Sequence, residues 1–160
     1  MIFQMRANRE TDMFMRFVRP LLWMGMLALA AVAQAKPLNA PALEAWLQKY
    51  GAAWEARDAT AAGKLFTPDA TYHEMPFDAP KQGRAGIEEY WRTVTAEHRD
   101  VKFESKVISV SGNTGVAHWH AKLKVASTGE TLELDGVFVL EFDEKGDCKS
   151  LREWWHLKAG

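Results

Sequence analysis

The sequence predicts an α+β domain in which helices precede a curved antiparallel sheet and pack on one of its faces. Apolar residues recur at steps of three and four after Asn39, and the period changes to two after His98. The last two alternating runs flank a turn at 143–147 and form a predicted hairpin. Helices grouped ahead of a run of strands are typical of α+β domains. Because such a sheet tends to leave a pocket beneath its helices, we expect a pocket here.

The helical part begins with a capping residue, Asn39, and a first-turn proline, Pro41. Asp58 predicts the cap of a second, short helix, and the proline and glycine content of 76–83 predicts a loop. In chain order we predict a helix from Ala40, a helix over 59–66, a strand over 70–75, the loop, and a helix from Arg84. Four antiparallel strands then follow, beginning near Val101, Val116, Thr131 and Cys148.

The first 35 residues have the pattern of a secretory signal peptide. A basic segment after Met15 precedes an apolar run of 13 residues, Leu21–Ala33, and the small-residue pattern Ala33-Gln34-Ala35. A membrane anchor is the alternative, but this run is short for a span of roughly 20 residues. We expect cleavage after Ala35, a periplasmic or secreted protein with no membrane attachment after cleavage, and one domain over 36–160. Residues 1–14 are interpreted as an over-long start.

Charge and motifs exclude several classes of function. The formal net charge is −1, and removal of 1–35, which takes away four arginines and two acidic residues, lowers it to −3. A mildly acidic domain is a poor match for the phosphates of nucleic acid. We find neither a glycine-rich phosphate loop nor a serine nucleophile motif, so no cofactor is expected. His118 and His120 share one strand face, but no clustered acid or cysteine accompanies them, and we predict no metal site.

Tyr50 and Glu74 are the residues most suited to catalysis. Tyr50 lies on the apolar face of the first helix, and Glu74 shares a strand face with Tyr72. A carboxylate among apolar neighbours can accept a proton, and a phenol can donate a hydrogen bond to a developing oxyanion. The simpler interpretation is a core tyrosine and a solvent-facing glutamate, and residue types alone favour it.

Several short elements of the sequence recur in a recognisable order and spacing. They are Tyr50, 65–71, Gly83, Ile87, Tyr90-Trp91, 142–146 and Glu153-Trp154-Trp155. Together they resemble the SnoaL-like branch of the nuclear-transport-factor-2-like superfamily, a cone-shaped α+β fold. The resemblance spans about 42–156 and implies a pocket, although relatives include isomerases, cyclases, hydrolases and binders.

Resemblance to the ketosteroid isomerases implies roles for individual residues. Tyr50 matches the oxyanion-hole tyrosine, and Glu74 lies where the family has its general-base aspartate. The family's acid directly precedes proline, whereas Met75 intervenes before Pro76, so either Glu74 or Met75 occupies the base position. Phe138 replaces the second oxyanion donor, which makes a related proton transfer or an inactive binder a better match than a true ketosteroid isomerase.

Three hypotheses follow. The first is an exported enzyme of the isomerase or lyase type, and the second is a non-catalytic protein that binds a small apolar ligand. The third is an interaction domain, because Trp154 and Trp155 must face opposite sides of a strand, which leaves one for a partner surface. The resemblance implies a homodimer formed through the sheet. The predicted pocket residues are Tyr72, Trp91, Trp119, Phe138 and Trp155.

Overall fold

The computed structural model describes residues 37–159, which surround one hydrophobic core. The predicted signal peptide, residues 1–35, lies outside the described residues. The helices are α1 (Ala40–Ala56), α2 (Ala59–Gly63) and α3 (Gly83–Thr95). The strands are β1 (Phe66–His73), β2 (Lys81–Gln82), β3 (His98–Ser111), β4 (Thr114–Val125), β5 (Thr131–Phe142) and β6 (Cys148–Ala159).

Helix α1 begins where the capping pattern predicts. The side chain of Asn39 accepts a hydrogen bond from the N–H of Ala42 at 2.9 Å, and Pro41 lies in the first turn. The helix ends at Arg57, whose φ of 58° is in the left-handed region common at helix ends. Its apolar face is buried, and the large side chains on that face are Leu43, Trp46, Leu47, Tyr50 and Trp54.

The six strands form one sheet in the order β2-β1-β6-β5-β4-β3. All neighbours are antiparallel except β1 and β6, which run parallel. The sheet is curved and unclosed, with α1 packed against β3 and α3 against β1. This architecture confirms the predicted fold class, an α+β domain with a curved antiparallel sheet around helices.

The boundaries of two predicted elements are wrong. The second helix ends at Gly63 rather than at Phe66, and the first strand covers Phe66–His73 rather than 70–75. Phe66 pairs with Cys148 of β6, and its ring packs edge-on against Trp46 at 5.7 Å. This tertiary pairing outweighs the local helical pattern. Glu74 therefore lies just beyond the strand, and the predicted loop contains the two-residue strand β2.

The histidines on β4 point away from the core. His118 and His120 alternate with the buried Trp119, and Nε2 of His118 lies 3.0 Å from a carboxylate oxygen of Asp135. Within 37–159, no three His, Cys, Asp or Glu side chains are placed to hold a metal ion.

Over the same range of residues, every helix is too short or too polar to cross a membrane.

Gly136 on β5 has no room for a side chain. A Cβ there would lie 2.7 Å from the carbonyl oxygen of Trp154 and 2.9 Å from Cε2 of Trp119. We expect Gly136→Ala to lower the free energy of unfolding by about 1–3 kcal/mol in urea denaturation, because backbone and a packed indole cannot yield. The matched control is Gly86→Ala in α3, where the Cβ meets open space and an increase of about 0.5–1 kcal/mol is expected. Equal stabilities of the two variants would contradict this packing.

Candidate active site

A cavity of ≈ 180 Å³ lies between α1, α3 and the inner face of the sheet. Its wall is mainly aromatic and aliphatic, and it also contains two carboxylates, three tyrosines and one histidine. The lining residues are Tyr50 and Trp54 from α1; Tyr72 from β1 and Glu74 just beyond it; Tyr90, Trp91, Val94 and Thr95 from α3; His98 from β3; Trp119 and Leu123 from β4; Leu132 and Leu134 from β5; and Glu153, Trp155 and Leu157 from β6.

Three buried side chains form a hydrogen-bonded chain in this wall, the Tyr50–Tyr72–Glu153 chain. The hydroxyl of Tyr72 donates to Oε1 of Glu153 at 2.8 Å, and the hydroxyl oxygens of Tyr50 and Tyr72 are 2.8 Å apart. When Glu153 is ionised, Tyr72 gives its single hydroxyl proton to the carboxylate, and Tyr50 donates the second hydrogen bond. Tyr50 is 2%, Tyr72 3% and Glu153 5% exposed, so the chain is almost fully removed from solvent.

The alternation of β6 places Glu153 on the inner face. Leu151 and Glu153 are buried and Trp155 lines the cavity, whereas Trp154 between them is 47% exposed. This confirms the prediction that the adjacent tryptophans face opposite sides. Glu153 lies directly opposite Phe138 of β5 in the antiparallel register. The carboxylate therefore enters an apolar core and reaches Tyr72 of the neighbouring β1.

Burial alters the acidity of this chain. It raises the pKa of Glu153 to about 8, an effect that the hydrogen bond from Tyr72 opposes and the negative Glu74 reinforces. Burial, followed by the negative charge of Glu153, raises the pKa of Tyr50 and of Tyr72 well above the ordinary value for tyrosine. The same two causes, joined by Glu74, raise the pKa of Tyr90. At neutral pH, Glu153 is therefore mostly a neutral acid, and the phenols keep their protons.

The indole N–H groups in the cavity wall differ in whether they have a hydrogen-bond partner. Nε1 of Trp54 donates to Nδ1 of His98 at 3.0 Å, and burial lowers the pKa of His98, with a further contribution from Arg99. A neutral His98 that accepts at Nδ1 carries its proton on Nε2. By contrast, the buried indole nitrogens of Trp91 and Trp119 have no hydrogen-bond partner in the described part of the chain. An unsatisfied buried donor typically costs about 1–3 kcal/mol.

The structure brings most of the predicted site residues together. Six of the seven line the cavity, namely Tyr50, Tyr72, Glu74, Trp91, Trp119 and Trp155. Phe138 is fully buried behind the wall, with its ring stacked on Trp119 at 5.2 Å, and it is not a lining residue. Met75 is 42% exposed and lies outside the lining, so of the two residues considered for the base position it is Glu74 that faces the cavity.

Sequence reasoning missed three titratable lining residues: Glu153, Tyr90 and His98. Glu153 carried a usable signal, because it alternates with Leu151 and Trp155, and a carboxylate in the inner series of a strand is rarely buried without a partner. The face of the strand that points inward could not be assigned from the sequence, since both faces of the sheet are partly apolar. No sequence pattern places His98 beside Trp54, because the contact joins residues 44 positions apart.

Comparison with known proteins agrees with this architecture. Residues 47–150 match the family model described as a SnoaL-like domain. No curated sequence matches the chain significantly. Among solved structures, the epoxide hydrolase/cyclase-like enzyme SalBIII, described for pyran ring formation in the polyether salinomycin, is 18% identical with a TM-score of 0.64. That match covers 73% of this chain and 95% of the other.

Two further solved structures share the fold. A candidate isomerase from Bacillus subtilis is 20% identical with a TM-score of 0.65, over 74% of this chain and 90% of the other. A protein from Catenulispora acidiphila with a ketosteroid isomerase-like fold, in complex with trimethylamine, is 18% identical with a TM-score of 0.61. The match covers 68% of this chain and 83% of that protein. The family-model match confirms the predicted family. The solved structures, at such identities, establish the fold alone.

The raised pKa of Glu153 predicts a pH dependence of stability. The folded protein keeps this proton up to about pH 8, whereas the unfolded chain releases it near the ordinary pKa of 4.5. The stabilisation is therefore complete below pH 4.5 and is lost as the pH rises through about 8. In urea denaturation, we expect the unfolding free energy of wild type minus that of Glu153→Gln to fall between about pH 5 and 8 and to level off above about pH 8. A difference that stays constant with pH would contradict the raised pKa.

Proposed function

The chain belongs to the SnoaL-like domain family, and we propose that it is an isomerase-type enzyme that moves a proton next to a carbonyl group of a small, largely apolar substrate. The observation that carries this proposal is the meeting of Tyr50, Glu74 and the buried acid Glu153 in one aromatic cavity. An apolar wall strengthens the electrostatic effect of each polar group on a bound substrate.

Glu74 is the base in this proposal. It lines the cavity and is only partly buried, so its carboxylate contacts both the bound substrate and solvent. Glu74 removes a proton from the carbon beside the carbonyl, and the electron pair of that C–H bond moves to the carbonyl oxygen to form an enolate. In a substrate with a C=C bond next to that carbon, the proton returns to the far carbon of this bond while the double bond moves into conjugation with the re-formed carbonyl, which completes the isomerisation and regenerates the carboxylate.

Tyr50 stabilises the enolate oxygen. Tyr50 lines the same cavity, and its hydroxyl keeps its proton because burial and Glu153 raise its pKa. A phenol in a water-poor site is a suitable donor to an oxygen on which negative charge develops. The unpaired indole N–H groups of Trp91 and Trp119 support a substrate that carries acceptor oxygens, since a bound acceptor would relieve the cost of an unsatisfied donor.

The cavity supports a substrate of modest size. Its volume of ≈ 180 Å³ is below the roughly 300–1,000 Å³ of drug-sized ligand sites. The aromatic and aliphatic lining provides apolar contact, while the polar groups lie on α1, α3, β1 and β6. We therefore favour compact cyclic ketones and β-keto compounds over long-chain or highly charged molecules.

A non-catalytic binder is the second candidate. Phe138 favours it, because the ketosteroid isomerases to which the sequence is similar have an acidic oxyanion donor at this position. The buried ring of Phe138 supplies no such hydrogen bond. Losing one oxyanion donor typically costs about a hundredfold to a thousandfold in rate.

Solvent deuterium incorporation tests the enzymatic proposal. We expect the protein beginning at Lys36 to catalyse exchange into a panel of cyclic ketones and β-keto compounds, measured by mass spectrometry. Glu74→Gln should abolish the exchange because an amide cannot accept the proton, and Tyr50→Phe should slow it by about a hundredfold or more. The control Glu104→Gln alters an exposed carboxylate on β3 and should leave the rate unchanged.

Exchange that survives in Glu74→Gln would contradict the role of Glu74. No exchange with wild type or any variant, combined with a rise in melting temperature when the same ketones are added, would contradict the enzymatic proposal and support a non-catalytic binder.

We also propose that the chain is exported to the periplasm or secreted after cleavage following Ala35, and that it forms a homodimer through the outer face of the sheet. The exposed Trp154, with Val137 beside it in register, supports such an apolar contact. In native mass spectrometry of protein expressed from the whole sequence, we expect twice the mass of a chain beginning at Lys36. Retention of 1–35 would contradict the cleavage, and a monomer would contradict the dimer.

A further inference from the structure

The number of protons in the Tyr50–Tyr72–Glu153 chain links the protonation state of Glu153 to the direction in which the Tyr50 hydroxyl donates its hydrogen bond. An ionised carboxylate only accepts, so the single hydroxyl proton of Tyr72 must point to Glu153. The oxygen of Tyr72 can then only accept from Tyr50. In this state the one proton of Tyr50 is committed to Tyr72, and Tyr50 offers only lone pairs to the cavity.

A protonated Glu153 permits the opposite order. The acid can donate to the oxygen of Tyr72, Tyr72 can donate to Tyr50, and the proton of Tyr50 is then released toward the cavity. Both O···O distances involving Tyr72 are 2.8 Å, which suits an O–H···O bond in either direction. The reversal therefore requires only rotation of hydroxyl protons, with every heavy atom in place.

The surroundings of Glu153 allow it to change protonation state. The titratable groups that face it are Tyr50 from α1, Tyr72 and Glu74 from β1 and its end, and Tyr90 from α3. The neighbouring β5 contributes Phe138 at the paired position. All of these groups are neutral or negative, so the carboxylate gains a proton more readily than an exposed glutamate, and its pKa is about 8.

We propose that Glu153 is a positioning residue whose protonation reverses the Tyr50–Tyr72–Glu153 chain and turns the hydroxyl of Tyr50 toward the substrate oxygen. The proposal rests on the proposed function, in which Tyr50 stabilises an enolate. Glu153 acts through Tyr72 and does not itself contact the reacting atoms. The fold is the same in both states. The enzyme is active when Glu153 is protonated and inactive when Glu153 is ionised.

Carbon-13 NMR of the tyrosines in ligand-free protein tests this reversal directly. The sequence contains three tyrosines, Tyr50, Tyr72 and Tyr90, and all three line the cavity. Label at Cζ therefore gives three signals, which Tyr→Phe variants assign. We expect the signals of Tyr50 and Tyr72 to shift together with one midpoint near pH 8, and we expect Glu153→Gln to remove that step from both.

Tyr72→Phe separates a hydrogen-bond reversal from a simple effect of charge. The electric field of an ionising Glu153 would reach Tyr50 with or without the hydroxyl of Tyr72, whereas the reversal needs that hydroxyl. We expect Tyr72→Phe to reduce the step at Tyr50 to the smaller shift caused by the charge alone. A step of wild-type size at Tyr50 in this variant, or no step in wild type, would overturn the proposal. Near-ultraviolet circular dichroism and cooperative urea unfolding show that each variant is folded.

The pH profile of deuterium exchange connects the reversal to catalysis. We expect the wild-type rate to fall about tenfold per pH unit above the midpoint, and the rate of Glu153→Gln to lack this fall. An NMR step without exchange in any ketone would leave the reversal standing and count against the proposed function. Exchange without the NMR step would support the function and refute the role of Glu153.

Discussion

Aromatic side chains of helix α1 pack against the inner face of the sheet, and the positions of the other elements depend on this contact. Tyr50 meets Phe138 of β5 at 5.2 Å, and Trp54 meets Trp119 of β4 at 5.9 Å, both in edge-on geometry. Full burial of a large apolar side chain contributes about 1.5–3 kcal/mol, and favourable aromatic pairs add about 0.5–1.5 kcal/mol. Because the rings are rigid, they hold α1 at a defined distance from the sheet, and the cavity occupies the space that remains beside α3.

The same contact makes the polar groups of the core effective. The Tyr50–Tyr72–Glu153 chain has members on α1, β1 and β6, so its two hydrogen bonds form only when the helix and both strands are in register. Placing Glu153 in this core is costly, and the protein reduces the cost by keeping the acid protonated near neutral pH and by pairing it with Tyr72. Both the stability of the core and the proposed orientation of Tyr50 thus depend on the proton of the Glu153 carboxyl group.

Much of the candidate site could be predicted from the sequence. Helical spacing placed Tyr50 on the buried face of α1, because this period is a property of the backbone itself. Strand alternation grouped Tyr72 with Glu74, and both line the cavity although Glu74 lies just beyond the end of β1. The sequence-based prediction was less successful for residues whose secondary structure or burial depends on contacts with distant segments of the chain. Phe66 belongs to a strand because β6 pairs with it, and Phe138 is buried behind the cavity wall because Trp119 stacks over it.

The sequence by itself determined the fold class, the order of the elements, the family and the pairing of Tyr50 with Glu74 as a candidate site. The fold class and the element order follow from local periodicity, capping and turn residues, which act over a few positions along the chain. The family follows from the resemblance carried by the order and spacing of short elements. Only the tertiary structure decided which face of each strand points inward and which carboxylate is buried. Glu153 meets Tyr72 across 81 positions, and its protonation depends on how completely the surrounding helices and strands exclude water. That exclusion is a property of the packed core as a whole, which no short stretch of sequence contains.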